Sequence, residues 1–104
     1  MNSHRKQRLV AAGFKVSSAD EFLGLSNAER SIVTMRLNLA RAVRNRRLAQ
    51  RCSQHELARR LGSSQSRIAK LEAAEPNVSL DLLVRALLAT GAEPKEIGRA
   101  LVTS

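Results

Sequence analysis

QHELARRLGSSQSRIAKL, residues 54–71, is the stretch whose reading decides the fold. Apolar residues recur at helical spacing on both sides of Gly62, and two serines follow the glycine. Two helices joined by so short a connection have to pack at a steep angle. That demands a small residue where they cross, one tolerant of positive φ in the turn, and a branched apolar side chain to fill the angle. Ala58, Gly62 and Ile68 supply these, and Leu57, Leu61 and Leu71 complete an inner face. The segment reads as a helix-turn-helix.

Working outward, Ser53 is an N-cap with Glu56 three residues on, a capping box, and Cys52 and Leu57 stand where a hydrophobic staple packs. Cys52 is therefore expected as a small core residue, and as the only cysteine it forms no internal disulfide. Upstream, Ser26 and Glu29 make another capping box before a long helix whose Ile32, Met35, Leu39 and Val43 form one stripe expected to be buried. Downstream, Glu75-Pro76-Asn77 is a loop, and Ser79 caps a helix with apolar Leu80, Leu83, Leu87 and Leu88 that ends at Gly91. Pro94 suits the first turn of a last helix to about Val102, with Ile97 and Leu101 buried. Toward the N-terminus, residues 3–12 and 18–23 suit short helices around an extended Phe14–Val16. The expectation is an all-α, five-helix domain over residues 26–104 with an N-terminal extension over 1–25.

In such a bihelical unit the second helix reads the major groove with its first turn. Its exposed positions are Ser64, Gln65, Ser66, Arg67 and Lys70. Glutamine pairs bidentately with adenine, arginine or lysine with guanine, and serine with either, so Gln65, Ser66 and Lys70 are the expected base contacts. Gln54, at the start of the preceding helix, is expected on a backbone phosphate, fixing register rather than sequence.

Charge points the same way. The chain of 104 residues carries 18 Lys+Arg against 9 Asp+Glu, a net charge of +9. Ten of the basic residues lie between Arg36 and Lys70, accompanied by one acid, Glu56; the rest of the chain is balanced. A concentrated positive footprint attracts a polyanion through Coulomb steering and counterion release. The basic third contains no aromatic residue, which disfavours both a membrane-surface helix and recognition of single-stranded RNA by stacking. No apolar run approaches a membrane span, and the basic N-terminus lacks the apolar stretch of a signal peptide, so a cytoplasmic protein is expected. No enzyme is expected: His4 and His55 stand alone, no ligand cluster suits a metal, and no glycine-rich loop is built to cradle a phosphate or cofactor.

Residues 53–72, and more loosely 26–102, resemble the Cro/C1-type (XRE) helix-turn-helix family, in Gln54, Leu57, Ala58, Leu61, Gly62, Ser64-Gln65-Ser66, Ile68 and Leu71-Glu72. The resemblance implies a five-helix fold and dimeric operator binding. Within that family, Ala19–Leu25 through Val78–Leu83 is similar to antitoxins of the HigA type, which implies a RelE/HigB-like ribonuclease toxin as partner and repression of the chain's own promoter. A stand-alone, phage-like repressor is the alternative. Arg51 and Ala74 stand where these proteins commonly have glycine, so either the backbone avoids the left-handed region there or it bears about a kilocalorie of strain.

Both aromatics, Phe14 and Phe22, lie in the N-terminal extension. Phe14, Val16, Phe22 and Leu23 are expected either to contact a partner, the toxin being the candidate, or to cover the chain's own core. A homodimer is expected because one helix reads only a few base pairs, with Leu87, Leu88, Ile97 and Leu101 serving either its contact or the core.

Overall fold

The computed structural model describes residues 26–102. Among these there is no strand, and five helices follow one another: α1 (Asn27–Ala49), α2 (Gln54–Leu61), α3 (Gln65–Glu72), α4 (Leu80–Ala89) and α5 (Pro94–Val102). The two short helices and the extended piece expected within residues 1–25, with Phe14, Val16, Phe22 and Leu23, lie outside the described residues. Two compact units divide the chain between Ile32 and Val33. In the first, the Ser26–Glu29 capping box is complete. The Glu29 N–H donates to Ser26 Oγ at 3.1 Å and the Ser26 N–H donates to Glu29 Oε1 at 3.0 Å.

In the second unit the core is aliphatic, built on Leu39, Val43, Leu57, Ile68, Leu71, Leu83 and Leu87, all essentially inaccessible. The stripe on α1 is buried from Leu39 onward; Met35 is half-buried and Ile32 is exposed, so the stripe starts two turns later than its period suggests. Cys52 and Leu57, the expected staple pair, are both buried in the same core cluster. Three further helices start with a serine whose hydroxyl accepts the N–H three residues on: Ser53 from Glu56, Ser64 from Arg67 and Ser79 from Leu82. Each such cap contributes about 1 kcal/mol. The box at Ser53 is only half formed, because the Glu56 carboxylate turns to Arg59 and Arg60 on its own helix. At the start of α5 the Glu93 N–H donates to Glu96 Oε1, and this bond, helped by Arg46, holds the Glu96 carboxyl below the usual range.

The ends of α1 to α4 share one device. An N–H bonds back five residues in each case: Cys52 to Arg47, Ser63 to Ala58, Glu75 to Lys70 and Ala92 to Leu87. This is the closing bond of a Schellman motif, and it requires a left-handed residue just before the donor. Those residues are Arg51 (φ 53°), Gly62 (φ 64°), Ala74 (φ 55°) and Gly91 (φ 91°). Of the two outcomes open for Arg51 and Ala74, the backbone does enter the left-handed region, at a cost of roughly 1–2 kcal/mol for a residue with a Cβ.

The turn that positions α3 depends on Gly62. A Cβ there would meet nothing within 4 Å, so the glycine is needed for its backbone and not for space. Gly62→Ala should therefore lower stability by roughly 1–2 kcal/mol, and Gly62→Asn by less, because asparagine tolerates the left-handed region. Chemical denaturation of the two variants checks this ordering.

Candidate nucleic-acid interface

α2 and α3 pack against each other, and Ala58 and Ile68, the residues expected where they cross, are both buried. Their inner faces are committed to the core, so the outer face of α3 is what the molecule presents. On it Ser64, Ser66, Arg67 and Lys70 are exposed and Gln65 is half-buried. Ser66 and Lys70, four residues apart, share one face. An open polar cleft, lined by Ser53, His55, Glu56, Ala58, Arg59, Ser63, Ser64 and Gln65, runs along the same edge between the start of α2 and the start of α3.

Behind that edge lies a chain of polar contacts. Arg47, near the end of α1, makes a two-pronged bond with Glu72, the last residue of α3: Nε to Oε2 at 2.6 Å and Nη2 to Oε1 at 3.0 Å. The side chains are 10% and 4% exposed, so the pair is buried, and Nη1 of Arg47 donates to the Cys52 carbonyl at 2.9 Å. The bond to Glu72 outweighs desolvation and raises the Arg47 pKa. Glu72 Oε1 also accepts from Gln54 Nε2 at 3.1 Å, and Gln54 Oε1 accepts from Gln65 Nε2 at 2.6 Å.

The carboxylate dictates the orientation of both amides. A carboxylate only accepts, so Gln54 must turn its NH2 toward Glu72, which leaves its oxygen toward Gln65. Gln65 must then turn its own NH2 toward Gln54. What Gln65 keeps is its carbonyl oxygen and one N–H, an acceptor beside a donor. Adenine offers the complementary N6–H and N7 on its major-groove edge.

Each expected site residue can now be placed. Gln54 supports Gln65 and retains one amide N–H for a phosphate. Ser64 is the cap of α3. Leu87 and Ile97, named for the dimer contact or the core, are 1% and 8% exposed and belong to the core, because α4 and α5 turn them inward; Leu88 at 49% and the half-buried Leu101 are what remain at the surface.

Arg47 and Glu72 were not among the expected site residues, yet they hold the site. The signal was available in part: Arg47 continues the spacing of Leu39 and Val43 onto the buried stripe, where an arginine requires a carboxylate. Two more of the ten clustered cations are also internal ties. Arg36 Nε donates to the Val78 carbonyl, and Arg46 bonds Thr90 and Glu96. The cationic surface thus rests on Arg41, Arg44, Arg51, Arg59, Arg60, Arg67 and Lys70, all exposed.

Among the described residues no His, Cys, Asp and Glu are grouped to hold a metal ion, and no helix is long and apolar enough to cross a membrane. A family model described as helix-turn-helix matches residues 43–97, more than half of the chain. No curated protein and no solved structure matches it.

Removing one partner of a buried pair leaves the other charge uncompensated, so Glu72→Ala should cost about 3–5 kcal/mol. The double change Arg47→Met with Glu72→Leu should recover most of that loss. Urea denaturation of the single and double variants measures both.

Proposed function

The chain belongs to the helix-turn-helix family of DNA-binding regulators, and from that footing we propose that it is a transcriptional repressor that binds its operator as a homodimer through α3. The observation that carries this reading is the oriented Gln65 amide, an acceptor–donor pair at the exposed start of α3 with Ser66 and Lys70 beside it. Gln65 pairs with an adenine, Lys70 with a guanine, and Ser66 with a neighbouring base. Arg67 and Ser64 flank them, and the remaining exposed cations approach phosphates, which position the protein without reading sequence. Two copies read half-sites about 34 Å apart, one turn of the duplex. Leu88 and Leu101 are the apolar residues still available of those named for the contact between copies.

The finer reading makes the operator the chain's own promoter and the chain the antitoxin of a RelE/HigB-like ribonuclease toxin. Its support is the similarity of the segment from Ala19–Leu25 through Val78–Leu83 to HigA-type antitoxins, and Phe14, Val16, Phe22 and Leu23 would be the toxin contacts. Buried aromatics are frequent anchors of such interfaces. A pull-down from the native host tests it: a co-purifying ribonuclease, lost on deletion of residues 1–25 while DNA binding and Tm are kept, supports the antitoxin. Recovery of the chain with operator DNA alone identifies a stand-alone repressor.

For DNA reading itself, Gln65→Ala combined with Lys70→Ala should abolish preference for the cognate site, selected from random duplexes, and leave weak, salt-sensitive binding. Each lost base contact removes about 1–3 kcal/mol of discrimination. Unchanged specificity in a competition binding assay would remove α3 as the reading helix.

A further inference from the structure

Two residues with side chains hold the left-handed backbone that closes a helix end, and they differ in what the side chain can return. Ala74 packs its methyl against the core. Arg51 is exposed, and among the described residues nothing accepts a hydrogen bond from its guanidinium. Arg36, Arg46, Arg47, Arg59 and Arg60 each meet an internal carbonyl, hydroxyl or carboxylate; Arg41, Arg44 and Arg67 are exposed as Arg51 is, but none of them holds a left-handed backbone. Arg51 therefore combines a strained backbone, an exposed cation and no internal partner. The helix-closing bond accounts for the left-handed backbone but not for an arginine standing there, and a cation that no internal group engages is available to a contact outside the protein.

Its place in the fold indicates which contact. Arg51 lies in the turn between α1 and α2, two residues before the α2 cap Ser53 and three before Gln54, which holds Gln65. The Cα atoms of Arg51 and Gln54 are thus no more than about 10 Å apart. When the second helix of such a unit enters the major groove, the first helix crosses the sugar–phosphate backbone, and Arg51 stands three residues before that helix begins. A guanidinium is suited to that position because its planar fork matches two phosphate oxygens.

We propose that Arg51 is a ligand for a DNA backbone phosphate, and that this contact offsets the strain of its left-handed conformation. The proposal rests on the reading that α3 enters the major groove. It assigns Arg51 affinity and register, with no part in choosing bases.

The test is fluorescence anisotropy on a mixed-sequence duplex across a series of KCl concentrations. Arg51→Asn and Arg51→Gly both remove the charge while accepting the left-handed backbone. Arg51→Lys keeps the charge, and Ala74→Gly relaxes the other strained position as a control. Losing one phosphate contact lowers the slope of log K against log salt by about 0.9, which is roughly eight-fold in affinity near 0.1 M. The Asn and Gly variants should show that loss, the Lys variant should keep the wild-type slope, and Ala74→Gly should bind as wild type. Thermal melts of the same samples separate a lost contact from a lost fold, and Arg51→Gly should melt no lower than wild type. If Arg51→Gly does melt lower, the Asn variant decides. Wild-type affinity and slope in Arg51→Asn, while the wild-type chain itself binds the duplex with a salt-dependent slope, would overturn the role of Arg51 and leave the DNA reading standing. Failure of the wild-type chain to bind any duplex would remove both.

Discussion

The Arg47–Glu72 pair joins the last turn of α1 to the last residue of α3, and the rest of the interface is arranged from it. A buried carboxylate can accept hydrogen bonds but not donate them, so its position sets which end of Gln54 faces it and, one step on, which end of Gln65 faces Gln54. The sense of two side-chain amides, which local sequence leaves free, is thus determined by one charge in the interior. The same guanidinium ties down the Cys52 carbonyl, so the turn into α2 and the end of α3 are anchored on a single group. Desolvating both ions is unfavourable, and a pair of well-packed apolar side chains would stabilise the fold at least as well. What the pair supplies is orientation. An apolar substitute would leave Gln54 without its acceptor and Gln65 without a defined edge.

Electrostatics in this chain therefore has two separate uses that composition alone merges. Arg36, Arg46 and Arg47 act inward, holding the carbonyl of Val78, the Thr90–Glu96 corner and Glu72, and they stitch the long first helix to the loops and helices packed on it. The exposed cations act outward, and their effect is long-ranged and dependent on salt. Of the inward arginines, Arg47 is buried with Glu72 and so insulated from salt. The net charge of +9 consequently overstates the field available to a nucleic acid unless it is divided residue by residue.

Much of the fold was legible because its determinants are local. Serine caps at 53, 64 and 79, glycine at 62 and 91 and the spacing of leucines each act within a turn or two of chain, and each produced the expected boundary. The left-handed Arg51 and Ala74 were not decided locally, since neither residue favours that region. The bonds of Cys52 to Arg47 and Glu75 to Lys70 require it, whatever side chain is there. The choice of Glu56 between Ser53 and the neighbouring arginines turned on i,i+3 and i,i+4 charge pairs that compete with a cap. Which of Leu87, Leu88, Ile97 and Leu101 face inward depends on how α4 and α5 pack, so periodicity left the matter open. The support of Gln65 was the least legible part. It joins residues 47, 54, 65 and 72 through side chains alone, and only the stripe position of Arg47 hinted at it.

The central claim is that the Gln65 edge of α3 faces duplex DNA with its amide already oriented. Backbone and side-chain amide NMR on titration with a duplex measures this directly. The account expects the largest shifts over residues 64–70, with the Gln65 side-chain NH2 protected from exchange in the complex and the Gln54 NH2 little changed. Shifts that leave α3 untouched, or a Gln65 amide that stays exchangeable while the protein is bound, would contradict it.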